Sequence, residues 1–269
     1  MRDDGSSLVS LKAGSVMNEG GASLELRQSD GKTGLILNGQ SSAGGGGSLT
    51  GANALGNETV ALDADRGGGG ALFLRNFDGS ASIGLIAEEH GSPQGAMYFY
   101  DASGAVSVEI DGNYEGAGRV ITQELQITGG ADLSEGFNVD HAGANVFPGA
   151  VLVIDPESPG ELMLAHEPYD TRVAGVVSGA GNIKPGLMMG QLGSLADGEV
   201  PVALTGRVYV QVDATEAPIA PGDLLTTGAL PGHAMRADDE RRRSGAILGK
   251  ALTGMPAGRG LVLALVSLQ

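Results

Sequence analysis

An internal repeat limits this chain more than any other feature. The segments GASLELRQSDGKTGLILNG (21–39), GGALFLRNFDGSASIGLIAEE (69–89) and GAMYFYDASGAVSVEIDGN (95–113) share one grammar. Each opens on glycine and a small residue, runs through an alternating apolar stretch, turns on a glycine and alternates again. Gly21, Gly70 and Gly95 stand 49 and 25 residues apart, and a degenerate copy beginning near Gly46, with Thr59–Asp63 as its second strand, fills the wider gap. The count is four units of about 24 residues, a period that signals a repeat architecture. Within a unit the period is two: Val106, Val108 and Ile110 alternate with Ser107, Glu109 and Asp111, and Leu24 and Leu26 with Ser23, Glu25 and Arg27. One face is apolar and the other wet, as in a strand. The turns SDGK (29–32), FDGS (77–80) and ASGA (102–105) supply a glycine able to take positive φ, so each unit reads as a β-hairpin.

A lone hairpin owns too few apolar side chains to hold itself closed. The faces must therefore meet something else. Three chains wrapped round a common axis would supply the missing walls, as in a trimeric fibre shaft. A single chain coiled as a β-solenoid would also do so. A Gly-rich leader without fixed structure is the third reading, and the alternation after each turn argues against it.

Proline marks a change of style. Residues 1–130 contain only Pro93, and the other ten prolines follow. The join falls in GGADLSEGF (129–137), which sets a repeat region at 1–128 and a second domain at 129–269. There, apolar runs at Ala150–Ile154, Leu162–Ala165, Val173–Val177, Val200–Leu204, Val208–Val212, Ala246–Leu248 and Leu261–Val266 alternate with Pro/Gly turns. That spacing predicts a compact β-sandwich or barrel with one helical turn near Ala237–Ser244. The fold class is all-β throughout.

Charge and composition remove several functions. A net charge of −16 repels phosphate and argues against nucleic-acid binding. Without cysteine there is neither a disulfide framework nor a thiolate zinc site. The longest clean apolar run, Leu261–Val266, is six residues, so membrane insertion is not expected, and MRDDGSSLVS has no apolar core of a secretory signal. His90, His141, His166 and His233 show no helical metal spacing and read as surface or turn residues. GAILGKA (245–251) is one residue short of a phosphate loop, with Ala251 where Ser or Thr would hold magnesium; it reads as a strand with Lys250 at its solvated end. Asp63 and Asp65 lack a further carboxylate at calcium-loop spacing, so no metal or cofactor is expected. DDERRR (238–243) reads as a solvated turn whose charges compensate each other. Tyr98, Tyr100 and Tyr114 are candidates for stacking on a glycan.

Asp132 and Glu135, three residues apart on the domain boundary, are the candidate chemical pair. An aspartate beside a peptide bond can act on its own backbone, with a nearby glutamate as general acid or base. The plainer reading has Asp132 capping a turn and Glu135 facing water.

From Val120 onward the chain resembles the peptidase G2 type C-terminal domain, an intramolecular chaperone at the ends of phage neck-appendage, tail-spike and bacterial fibre-like proteins. The stretches that carry the resemblance are VITQELQITGGADLSEGF (120–137), VLVIDP (151–156), YDTRVAGVVSGAGNIKPGLMMGQ (169–191), VPVALTGRVYVQVDA (200–214), PIAPGDLLTTGALPGHAMRA (218–237), GAILGKAL (245–252) and GLVLALVSLQ (260–269). It implies a homotrimer whose cap brings three shafts into register and then cuts itself off. The family cuts between Ser and Asp, with Glu three residues later; Asp132 and Glu135 match, and Ala131 stands where the serine would be. The resemblance thus implies a fibre or spike on a virion, phage-like particle or extracellular fibre, with upstream fibre or baseplate components and a surface receptor or glycan as partners. Self-cleavage at Ala131–Asp132 is the enzymatic alternative, impaired by Ala131, and a carbohydrate-binding adhesin is the third.

Overall fold

The computed structural model describes residues 9–12, 21–39, 46–66, 69–87, 94–139 and 146–268. It is all-β: twenty strands and, among the described residues, one 3-10 turn at Ala180–Asn182. The chain divides into two compact units, Met1–Leu125 and Gln126–Gln269.

Unit 1 is a single antiparallel sheet of ten strands in sequence order. They are β1 Val9–Lys12, β2 Ser23–Arg27, β3 Thr33–Asn38, β4 Ser48–Ala52, β5 Glu58–Arg66, β6 Gly69–Arg75, β7 Ala81–Ile86, β8 Ala96–Tyr100, β9 Val106–Tyr114 and β10 Ala117–Thr122. Because each strand pairs antiparallel with its sequence neighbour, the solenoid alternative is corrected: the units form a meander, not a coil of rungs. The repeat appears at both ends of each hairpin. At the turn, the N–H of Gln28, Asn53, Asn76 or Asp101 donates to the carbonyl four residues on, and the glycine three residues on donates back, all at 2.8–3.0 Å. Those glycines, Gly31, Gly56, Gly79 and Gly104, have φ of 83–90°, and a register shift follows in every pair. This is the three-residue hairpin loop closed by a glycine bulge. At the other end, Gly39, Ala64, Ala87 and Gly112 donate to Ala22, Gly47, Gly70 and Gly95. The degenerate copy is therefore as regular in backbone as the other three. Neighbouring tips are tied together: Gln28 Nε2 donates to the Asn53 carbonyl at 2.7 Å, and Asn53 Nδ2 to that of Phe77 at 2.6 Å.

Unit 2 contains β11 Asp132–Phe137, β12 Val151–Ile154, β13 Leu162–Leu164, β14 Val173–Val177, β15 Leu187–Met189, β16 Val200–Asp213, β17 Leu224–Thr227, β18 Ala234–Arg236, β19 Ile247–Ala251 and β20 Arg259–Ser267. Five of them close a barrel, β16–β18–β17–β19–β20 and back to β16. Its interior is aliphatic and fully buried, with Val208, Val210, Val212, Leu225, Leu248, Val262 and Val266 at 0–1% exposure. The first half of β16 leaves the barrel to pair with β11 and β14, over a second cluster that includes Leu152, Leu162 and Val202.

Two expectations for this unit are corrected. The runs at Val200–Leu204 and Val208–Val212 belong to one fourteen-residue strand, in which Gly206 at φ 106° carries the chain through a bend. Ala237–Ser244 holds reverse turns, not a helical turn, closed by Arg242 N–H to Asp239 and Ala246 N–H to Arg243.

Candidate functional site

Strand β11 lies between β15, which runs parallel to it, and β16, which runs antiparallel. Its burial alternates: Asp132, Ser134 and Gly136 point into unit 2, while Leu133, Glu135 and Phe137 lie on the other face. An odd spacing in a strand separates two side chains by the whole thickness of the sheet. Asp132 and Glu135 therefore lie on opposite faces of β11 and are not brought side by side. The partner that the fold gives Asp132 is Ser134, whose hydroxyl donates to Oδ2 at 2.5 Å. Asp132 is 5% exposed and Ser134 0%, and Asp132 Oδ1 is buried with no hydrogen-bond partner among the described residues. The even spacing D-x-S was the signal available in the sequence.

The Ala131–Asp132 peptide is held by bare backbone. The Ala131 carbonyl accepts from Arg207 N–H and the Asp132 carbonyl from Gly186 N–H, both at 2.9 Å. A side chain at Gly206 would stand 2.6 Å from the Ala131 carbonyl oxygen, and one at Gly130 would stand 2.3 Å from the Gly186 nitrogen. These glycines let three segments cross within van der Waals distance. The arrangement fixes the peptide in a ladder and places one buried carboxylate beside it.

The other sequence candidates are dispersed. His166 is exposed, and His233 is half-buried near Phe147; His90 and His141 lie outside the described residues. Lys250 is exposed on β19. Among the described residues no three His, Asp or Glu side chains converge as a metal site would require, and no helix is long and apolar enough to cross a membrane. The DDERRR turn is not compensated mainly within itself. Arg242 donates to the Pro168 carbonyl and stacks over Tyr169 at 4.6 Å, and Arg243 makes two bonds to the Ala237 carbonyl. The three tyrosines differ in surroundings, with Tyr100 half-buried and Tyr114 42% exposed. Tyr98 is 8% exposed, and the Tyr114 ring is covered by the Arg119 guanidinium at 3.3 Å.

An extended apolar surface lies on unit 1. The strand registers place Leu11, Leu24, Leu37, Leu49, Leu62, Leu72, Leu85, Met97, Ile110 and Val120 in one row across all ten strands. Two residues along each strand, a second row on the same face runs Val9, Leu26, Leu35, Gly51, Val60, Leu74, Ile83, Phe99, Val108 and Thr122. No position in either row is charged. Yet the residues of unit 1 that are buried, among them Glu25, Phe73, Tyr98 and Asp111, all belong to the opposite face. That face covers itself: Arg66 stands over Phe73 at 4.5 Å, Phe73 lies against Gly84, and Glu25 accepts from Arg27 and Thr33. The aliphatic face does not. Leu62 is 51% exposed and Val120 60%. A contiguous apolar face of this kind marks an interaction site.

Comparison with family models, with curated proteins and with solved structures finds no match.

Proposed function

We propose that this chain is a structural protein of the fibre or spike type, a homotrimer in which unit 1 forms a β-prism shaft and unit 2 a cap of the peptidase G2 kind. The observation that carries the reading is the two-row aliphatic face, present on every strand of unit 1 and not covered by the described residues of that unit. Strand length favours three walls. Strands β2 to β4 and β6 to β8 are five to seven residues long. At about 3.3 Å per residue, five residues make a wall of about 17 Å, and a triangle of such walls has its centre about 5 Å from each, half the ~10 Å at which sheets pack face to face. Unit 2 supplies an association surface of its own in Leu187, Met188, Met189, Leu192 and Leu195, which are 39–92% exposed. Its work is to set three chains in register, and the assembled tip is where a surface receptor would be met. Mass in solution tests this: a particle of about three times 27.0 kDa is expected, and a 27.0 kDa particle at all concentrations overturns it.

A second reading, one self-inflicted cut at Ala131–Asp132, keeps a single supporting observation, the buried and half-partnered Asp132 beside that bond. Prolonged incubation with intact-mass analysis tests it. Fragments 1–131 and 132–269, absent from Asp132→Asn, are its expected product; an intact chain removes it.

A further inference from the structure

We infer that the contact between copies is made by the aliphatic wall of unit 1, each copy laying its large side chains into the hollow beside the leucine row of the next. The inference rests on the assembly reading above and specifies its surface. That hollow, of about 630 Å³, is floored by Leu62, Leu72, Leu85, Met97 and Ile110, and its rim is the small backbone of Gly70 and Gly95. A second, separate hollow is lined by Leu11, Leu24 and Leu37 of the same leucine row.

Four observations point to a second copy as the occupant. The wall is large enough. Ten strands at about 4.8 Å and four to five residues at about 3.3 Å give roughly 700 Å² of flat area, close to the ~800 Å² per partner of a stable interface. The segments outside the described part of this region offer little to lay there: 1–8, 40–45, 67–68 and 88–93 are mostly Gly, Ser and charged residues, and 13–20 has only Val16 and Met17 as larger apolar side chains. The face also solves a charge problem. Residues 1–130 carry 16 acidic and 7 basic side chains, and none stands in either aliphatic row; of the residues that line the hollow only Asp63 is charged, so two acidic copies meet there with few opposing carboxylates. Finally, Gly70 and Gly95 are glycines that the single chain does not explain. Neither is in the left-handed region, and among the described residues a Cβ at either would meet nothing closer than 3.7 Å. A glycine within a strand, as Gly70 is in β6, often marks a place where another backbone comes close, and Gly95 stands just before β8 at the rim of the same hollow.

The test uses the full chain and its lack of cysteine. Leu72→Cys places one thiol on the wall, and Thr50→Cys places one on the opposite face as a control. Under mild oxidation Leu72→Cys is expected to form covalent dimers at least tenfold faster than Thr50→Cys. Leu62→Lys and Gly95→Val, both at positions exposed in one chain, are expected to keep the β circular dichroism of the parent and to weaken association at least tenfold by sedimentation. If the parent associates but both variants associate as it does, or Leu72→Cys links no faster than the control, this wall is not the contact and assembly belongs to unit 2. If the parent itself is a 27.0 kDa particle throughout, the assembly reading and this surface fall together.

Discussion

Asp170 shows how much one side chain holds in unit 2. Its carboxylate accepts from Arg172 N–H at 2.8 Å, Nε at 3.0 Å and Nη2 at 2.7 Å, while its own N–H donates to Thr227 Oγ1. Burial pushes its pKa up, but the Arg172 hydrogen bonds and charge outweigh that and leave it below the ordinary carboxylate value. A depressed folded pKa contributes stability that is full above the unfolded value, near 4, and is lost as pH falls through the folded one. Asp170→Asn is therefore expected to lower unit 2 stability by about 1–3 kcal/mol at neutral pH. In urea titrations that difference should shrink steadily below about pH 4. Ser134 has a comparable place without the charge partner. Ser134→Ala leaves both Asp132 oxygens buried without a donor, so a loss of about 1–3 kcal/mol is expected. Adding Asp132→Ala to it should cost less than the sum of the single changes, which a double-mutant cycle reads directly.

At the scale of the element, the hairpin turn is the part most open to a single change. Gly79 sits at φ 90° with a Cβ site no closer than 3.7 Å to any neighbour, so Gly79→Ala meets backbone strain and not crowding. A loss of about 1–3 kcal/mol in unit 1 is expected from thermal melts, with no change in the β spectrum. The same turn glycines made the repeat legible in the sequence. Even the weak copy at 46–66, poor in large apolar residues, keeps Gly56 where Gly31, Gly79 and Gly104 stand. The strands that escaped notice bury the wrong residue types for an apolar scan. In β11 the inward side chains are Asp132, Ser134 and Gly136, and the segment reads as a linker. In β17, Thr226 and Thr227 are fully buried because their hydroxyls reach the Ala246 and Glu167 carbonyls. Asp132 and Glu135 stand apart for a related reason: once β11 is a strand, residues three apart point opposite ways.

At the scale of the whole molecule, the two units differ in what they own. Unit 2 closes a five-stranded barrel on itself and holds an aliphatic core, Val208, Val210, Leu225, Leu248 and Val262 among it, at near zero exposure. Unit 1 has ten strands, but among its described residues only a handful of side chains are buried below a tenth of their surface, all on its mixed face, and its aliphatic rows stay half-buried or exposed. Burial of apolar area is the main favourable term in folding, about 25 cal/mol per Å², so the two should respond differently to dilution. A fragment of residues 126–269 is expected to keep a cooperative thermal transition at the lowest measurable concentration, because its core needs no partner. A fragment of residues 1–125 is expected to melt at a temperature that rises with concentration, since anything that binds only the folded form adds stability by mass action. A concentration-independent, cooperative melt of 1–125 would mean that the single sheet suffices as it stands, and the uncovered leucine row would then call for a different occupant.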